Sequence, residues 1–472
     1  MSVKQAPTAY VPQPAAPRAR PGGPSLGGVW ASVRRLRWTE FRLLLVPSIL
    51  SIVGMLMVIL VPVGEMRWQW TDLWMSFLFI GLLYGMHVWL NITRPRADQV
   101  LLPLVGTILV VGLVMIQRLE PSLSEAFRGI ANKQVLWIAG GMVVMWGTVT
   151  FLRDLNFLRR YKYTFAILGI ALVAVTLVFG NDAGSGTGVR LWLDLGFSQF
   201  QPSELLKVLL VIFLAGYLDD KRELLVSSYR VGPVSLPPLP YLAPLLLLWA
   251  LALVLFVVQR DLGSAMLFFG IFLAMLYVAS GKAFYVLGGL GLFAAAAFLL
   301  NAFFASQFTH IQERVAIWLN PWPVGNDEGY QIVQSLFALA SGGVLGKGIG
   351  VGSPGYIPAV HTDMIIAAIG EELGLAGTLG VVVLFVFLVY RGFHIALTSR
   401  SGYEQLLAVG LTTVLGIQAI IILGGAIKMI PLTGITLPFI SYGGSSIITN
   451  FLIVGLLLRI SAPRVPPTVR LQ

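Results

Sequence analysis

The sequence predicts an all-α polytopic membrane protein of about twelve spans, and three observations carry that prediction. Of the 472 residues, 57% are hydrophobic and only 11% are charged, with a mean hydropathy of +0.84. About a dozen apolar runs each approach the ~20 residues that a helix needs to cross hydrocarbon. The runs lack the alternation of barrel strands, and helices satisfy their own backbone in lipid. A soluble chain of this length would divide into domains with polar surfaces, and no such stretch is present. The absence of cysteine excludes disulfides, thiolate catalysis and cysteine-ligated metals.

Residues 1–40 are rich in Pro, Ala, Gly and Arg and contain no apolar run, so they are expected to form a disordered basic cytoplasmic tail, either a solvated leader or a docking segment. They do not read as a secretory signal, because the first apolar segment begins too late and no cleavage pattern follows it. The expected spans are 41–63, 71–92, 99–118, 134–152, 162–180, 202–218, 240–258, 262–280, 283–304, 364–390, 403–427 and 439–459. Lys and Arg concentrate in the tail, at Arg94 and Arg96, between Arg153 and Lys162, between Lys221 and Arg230, at Arg391 and Arg400, and after residue 460. That asymmetry puts these segments, and with twelve spans both termini, on the cytoplasmic side. The net charge of +11 is then topology and contact with anionic lipid, and needs no nucleic acid to explain it.

One connection is unusually long. Residues 305–363 form an outer loop of about sixty residues with Trp318, Trp322, Tyr330 and many glycines. Loops of that length are uncommon unless they are functional or disordered, and the aromatic content argues against disorder. Within it, YQIVQSLFALASGG reads as a short amphipathic helix with Ile332, Leu336, Phe337 and Leu339 on one side.

Polar residues at span ends are the candidates for chemistry. Asp363, in VHTDMIIAAIGEELG, is either an N-terminal cap or a carboxylate at the mouth of a water-filled cavity. His361 beside it is a proton relay or a buried interface residue. Glu371 and Glu372 lie about two turns further along, ~12 Å deeper, where an unpaired carboxylate costs several kcal/mol. One is expected to pair with a basic group or bond backbone, and the other to line the cavity. Glu204 and Lys207, three apart in FQPSELLKVLL, are placed to pair with each other, or Lys207 reaches a glutamate on another helix. Asp261, in the tight turn VVQRDLGSA, reads as a cap with a functional alternative. In GITLPFISYGGSSIITN, Ser441, Tyr442, Gly443, Gly444 and Ser445 suit close helix packing or, alternatively, phosphate contact. Arg190, Arg260, Arg314, Lys347 and Lys428 are the outer cations that could hold a phosphate group. SGGVLGKGIG fails as a phosphate-binding loop: Ser341 replaces the first glycine, Gly348 the hydroxyl residue, and no strand precedes it. No histidine pair has metal-ligand spacing.

Taken together, WLDLGFSQFQPSELLK, QRDLGSA, RVAIWLNPW, GYQIVQSL, HTDMIIAAIGEELG and ITLPFISYGGSS, in that order, resemble the SEDS proteins of bacterial cell-wall synthesis (FtsW, RodA and SpoVE). The resemblance covers about 98–460, a ten-helix core; residues 41–97 supply two additional N-terminal transmembrane helices, and 461–472 are a cytoplasmic tail. It implies a peptidoglycan glycosyltransferase that polymerises lipid II at the outer face of the cytoplasmic membrane and releases undecaprenyl diphosphate. It also implies Asp363 as the catalytic residue, a divalent cation such as Mg2+ or Mn2+ with unnamed ligands, and a class B penicillin-binding protein as transpeptidase partner.

The chain departs from the family pattern at four places: the two additional helices, Arg260 in place of a proline, Leu191 in place of an arginine, and Ala359 in place of a glutamate. TGITLP is closer to the FtsW pattern, although it does not separate elongation, division and sporulation. The expected chemistry is attack of a sugar hydroxyl on an anomeric carbon bearing a diphosphate. A neutralised diphosphate departs without an acid, so one base suffices where glycoside hydrolysis needs two carboxyl groups. Burial near Glu371 is expected to raise the Asp363 pKa toward useful basicity. Two other classes compete: a lipid II flippase, whose site belongs near the bilayer midplane, and a non-catalytic scaffold for a penicillin-binding protein.

Overall fold

The computed structural model describes residues 37–61, 69–94, 96–152, 154–181, 190–194, 196, 199–223, 229–231, 234–236, 239–304, 309–325 and 327–462. The chain divides into residues 1–36, none of them described, and a unit beginning at Arg37. Among the described residues, a long helix lies on each of the twelve expected segments. They are α1 (Trp38–Leu60), α2 (Trp74–Thr93), α3 (Leu101–Leu119), α4 (Ile130–Phe151), α5 (Lys162–Phe179), α6 (Pro202–Asp220), α7 (Leu239–Val258), α8 (Leu262–Ser280) and α9 (Ala283–Phe304), followed, after two shorter helices, by α12 (Ile365–Leu397), α13 (Gly402–Ala426) and α14 (Gly444–Ser461). The shorter pair is α10 (Thr309–Leu319) and α11 (Tyr330–Gly342), both inside the long connection. Nine helices among the described residues are long and apolar enough to cross a membrane. The protein is a polytopic helical membrane protein.

Local chemistry sets the helix ends. Pro202 opens α6 at a position whose N–H would have no helical partner. Ser401 Oγ accepts from Glu404 N to start α13. Gly281, at φ 69°, closes α8 in a left-handed turn that a side chain would strain. Between helices, α4 packs on α14, α12 on α13, α5 on α6, and α1 on α3. Small residues permit the close approaches: Gly141 lies under Phe451 and Gly455 against Met145 where α4 meets α14. Helix α3 is buried nearly all round, so the bundle is built about it.

Four features differ from the sequence reading. Two small antiparallel hairpins interrupt the all-α pattern, β1 (Leu193–Asp194) with β2 (Gln199–Phe200) and β3 (Tyr229–Val231) with β4 (Val234–Leu236). The expected tail 1–40 ends too late, because α1 begins at Trp38 and Arg37 and Glu40 are fully buried. The remainder of that tail, residues 1–36, and most of 461–472 lie outside the described residues. Helix α11 turns Ile332, Ser335, Ala338 and Gly342 inward and leaves Phe337 54% exposed. Finally, α12 is longer than expected and is broken at Gly374 (φ 69°, ψ −167°).

Candidate active site

The tripeptide His361–Asp363 sits at the end of the bundle where α12 begins. Ala359 adopts φ 50°, and its carbonyl accepts from Thr362 N at 3.0 Å and Asp363 N at 3.2 Å. The tight turn leaves Met364 as the N-cap, with no side-chain capping bond. The Asp363 carboxylate is therefore not consumed in capping, contrary to the simpler sequence reading. A second segment fixes this turn from the other side. Tyr442 N donates to His361 O at 2.8 Å, and Ser441 Oγ donates to Thr362 O at 2.5 Å while accepting from Leu437 N at 2.9 Å. That segment comes close to the bundle axis because Gly112 of α3 has no side chain; a Cβ there would lie 2.6 Å from Ile440 Cα.

Asp363 is a half-buried residue with its carboxylate surrounded by protein. Burial pushes its pKa up to about 6, against the smaller opposing effects of the Thr362 hydroxyl and the Arg314 charge. Burial is the cause expected from the sequence, and Glu371 is not among the groups that act on this carboxyl. Gly434, at φ 74°, faces the carboxylate; a Cβ there would be 3.6 Å from Asp363 Oδ2. Arg314 of α10 donates to Leu432 O at 2.9 Å, and its charge acts on Asp261 as well as Asp363. Asp261 caps α8, accepting from Ser264 N at 2.9 Å and Ser264 Oγ at 2.6 Å. Burial raises its pKa, Glu204 adds to the rise, and Arg314 opposes it. His361 is buried and packs on the Phe127 ring at 4.4 Å. Burial lowers its pKa to about 4, so it is neutral at physiological pH.

The two glutamates form a separate structure, an acid–base knot around the break in α12. Glu371 Oε1 meets Lys347 Nζ at 2.7 Å and accepts from Ser353 N at 3.1 Å. Glu372 ion-pairs with Arg118 of α3 at 2.8 Å and accepts from Gly350 N at 3.2 Å. Where Gly374 breaks the helix, the SGGVLGKGIG segment satisfies the freed backbone: Lys347 N and Gly348 N donate to Glu371 O and Glu372 O, and Leu375 N and Ala376 N donate to Gly343 O and Val344 O. Both glutamates are buried and ion-paired, and Lys347 is taken up by Glu371 rather than free for an anion. The glycine pattern that resembled a phosphate loop is a backbone patch, with Gly346, Gly348 and Gly350 all at positive φ.

The other candidates fall into three groups. Lys207 pairs with Glu204 at 2.7 Å and donates to Gln418 Oε1 at 2.8 Å, and Gln418 Nε2 donates in turn to Thr436 O. Ser445 Oγ accepts from Gln201 N at 3.0 Å, Gly444 lies against the Trp137 ring, and Gly443 is in extended backbone. Arg190 is exposed and donates to Val178 O at 3.2 Å. Arg260 is exposed at φ 57°, a conformation closed to the proline that the family pattern has there. Lys428 donates to Leu319 O at 3.3 Å. Of the five cations, only Arg314 bears on Asp363.

Comparison with known proteins places this geometry. Residues 98–465 match the family model of FtsW, RodA and SpoVE, described as cell cycle protein. The chain belongs to this family. The peptidoglycan glycosyltransferase RodA of Mycobacterium tuberculosis is 37% identical over 430 residues, 90% of each chain. The stage V sporulation protein E of Bacillus subtilis is 31% identical over 380 residues, 78% of this chain and 98% of that one. Among solved structures, a chain from a peptidoglycan synthase complex that coordinates polymerization and crosslinking superposes with a TM-score of 0.62 at 27% identity, over 77% of this chain and 97% of that one. The RodA of Thermus thermophilus gives 0.54 at 26% identity, over 77% and 96%.

For the divalent cation that family resemblance implies, no group of three or more His, Asp or Glu side chains comes together among the described residues. Mg2+ is commonly held by one or two carboxylates together with substrate phosphates, and Asp363 and Asp261 are the carboxylates around Arg314. Sequence reasoning missed Arg118 as the partner of Glu372, Gln418 as the link beyond Lys207, and the break at Gly374. The glycine of GEELG was the only available signal for the last.

Proposed function

We infer that this protein is a peptidoglycan glycosyltransferase that polymerises lipid II, with Asp363 as the general base. Family membership and relatives named peptidoglycan glycosyltransferase support the activity. The observation that carries the residue assignment is a carboxylate left free of capping, desolvated to a pKa of about 6, on which the Arg314 charge acts. A base of that pKa is ionised at neutral pH yet basic enough to take a proton in the transition state.

In the reaction, Asp363 accepts the proton of the attacking sugar hydroxyl as the new glycosidic bond forms. The bond from the anomeric carbon to the diphosphate oxygen breaks, and the lipid diphosphate leaves with the electron pair. Arg314 neutralises the departing charge. A divalent cation, held by phosphate oxygens and a carboxylate at this end, would supply the same neutralisation. His361, neutral and packed at a tilt on Phe127, positions the turn rather than relaying protons. The twelve helices span the bacterial cytoplasmic membrane with both termini inside and Asp363 facing out, as the Lys/Arg distribution requires. A class B penicillin-binding protein is the partner that would crosslink the product, in line with the synthase complex to which the chain is similar.

A flippase is disfavoured because the acids deeper in the bundle are locked in ion pairs instead of lining a track. The deciding experiment uses purified protein, lipid II and a divalent cation. Wild-type protein should form glycan polymer and well-folded Asp363→Asn should not; polymerisation by that variant at near-wild-type rate would sink the assignment.

A further inference from the structure

Helices α1 and α2 precede the segment that matches the family model, yet α1 does not pack as an appended anchor. At one end, Arg37 is fully buried, donates to Arg94 O at 3.1 Å and Ala97 O at 2.8 Å, and pairs with Glu40. The second Glu40 oxygen meets His87 Nδ1 of α2 at 2.7 Å. Along its length, Gly54 lies against Val114 of α3, where a Cβ would be 2.8 Å from the valine methyl. At its other end, Val61, the residue after α1, presses on Gly350. A Cβ at Gly350 would be 3.0 Å from Val61 Cβ and 3.7 Å from Arg118 Nε. Gly350 is the residue whose N–H holds Glu372.

We propose that α1 braces the acid–base knot, and that Val61 and Gly350 are positioning residues for Asp363. The proposal rests on the reading of Asp363 as the reacting base. Its physical basis is the break at Gly374. The first segment of α12, Ile365–Leu373, is uncoupled from the rest of that helix, so helical continuity does not set its position. Its buried face packs on α11, where Gly342 lies against Gly370, and polar contacts hold its two ends: the bonds from Ser441 and Tyr442 at the Asp363 end, and the knot at the Glu372 end. The knot has three walls, namely Arg118, the 343–353 segment and, behind Gly350, Val61. Asp363 stands about 13 Å from Glu372 at ~1.5 Å per residue. Over that lever a tilt of about 4° moves the carboxylate by about 1 Å, a displacement that can cost on the order of 100-fold in rate. Without Val61, Gly350 is free to withdraw and Glu372 loses the amide that fixes it.

The test uses full-length protein carrying Val61→Asp, Val61→Ala or Val61→Ile, with wild type and Asp363→Asn alongside. Val61→Asp sets a carboxylate next to Arg118 in competition with Glu372. It should lower kcat about tenfold with KM within about twofold, and speed amide exchange across 346–353 about tenfold. Val61→Ala should move both quantities the same way by less, and decides the matter if Val61→Asp does not fold; Val61→Ile should match wild type. Wild-type exchange across 346–353 in the folded Asp and Ala variants overturns the brace. Faster exchange with an unchanged kcat overturns the positioning role. If wild-type protein makes no polymer, the reading of Asp363 fails, and the exchange measurement still decides whether α1 braces the knot.

Discussion

The raised pKa of Asp363 makes a prediction about stability as well as rate. A carboxyl group that titrates near 3.8 when unfolded and about 6 when folded binds its proton more tightly in the native state. Its protonated form therefore contributes stability that is fully present below pH 3.8 and is lost as pH rises through 6. A shift of about two units corresponds to about 3 kcal/mol at 1.36 kcal/mol per unit, and partial exposure reduces this to about 1–3 kcal/mol. Asp363→Asn, which is never charged, should accordingly be more stable than wild type by that amount above pH 6.5, and equal to it near pH 4. Equilibrium unfolding in mixed micelles across pH 4–8 measures the difference, and the polymerisation assay on the same preparations should show a rate loss of at least about 100-fold. An Asn variant that is inactive yet no more stable at pH 7.5 would refute desolvation as the source of basicity. An Asn variant that is more stable and fully active would refute the catalytic role.

Glycan polymerisation by wild type should rise with pH to a plateau with a midpoint near 6, as the base ionises. Because the Arg314 charge opposes the rise in pKa, Arg314→Gln should move that midpoint upward and lower kcat/KM, whereas a lower midpoint would contradict the geometry. Arg118→Met strands Glu372 in the interior and should cost about 3–5 kcal/mol, read as a lowered melting temperature; Arg118→Met with Glu372→Gln should recover most of it. Gly374→Ala forces a side chain into a φ/ψ region open essentially to glycine alone and onto the backbone of 344–346. Folded yield should fall sharply, and a normal yield would show that the break is dispensable.

Much of the fold was legible in the sequence because a bilayer imposes a simple constraint: apolar runs of about twenty residues must be helices. Hence the twelve segments, the Asp261 cap and the Glu204–Lys207 pair follow from local pattern and spacing. The family's ordered motifs brought HTD to notice, and Asp363 stands apart from its neighbours only in the fold. By spacing alone Asp363 was as good a cap as a base. The tertiary structure removes the capping role, since Ala359 turns the chain so that Met364 opens α12.

The sequence by itself determined the solvent, the helices and the residue types at the site, because hydropathy and local spacing are properties of neighbours along the chain. Only the tertiary structure decided what each charge does. Glu371 and Glu372 looked available for chemistry until Lys347 and Arg118, both distant in sequence, proved to neutralise them. The same folding brings Gly112 under Ile440, Arg314 toward Asp363 and Val61 onto Gly350. Buried charge must find its counter-charge, but which counter-charge it finds depends on helix packing, and packing partners are not written in local pattern.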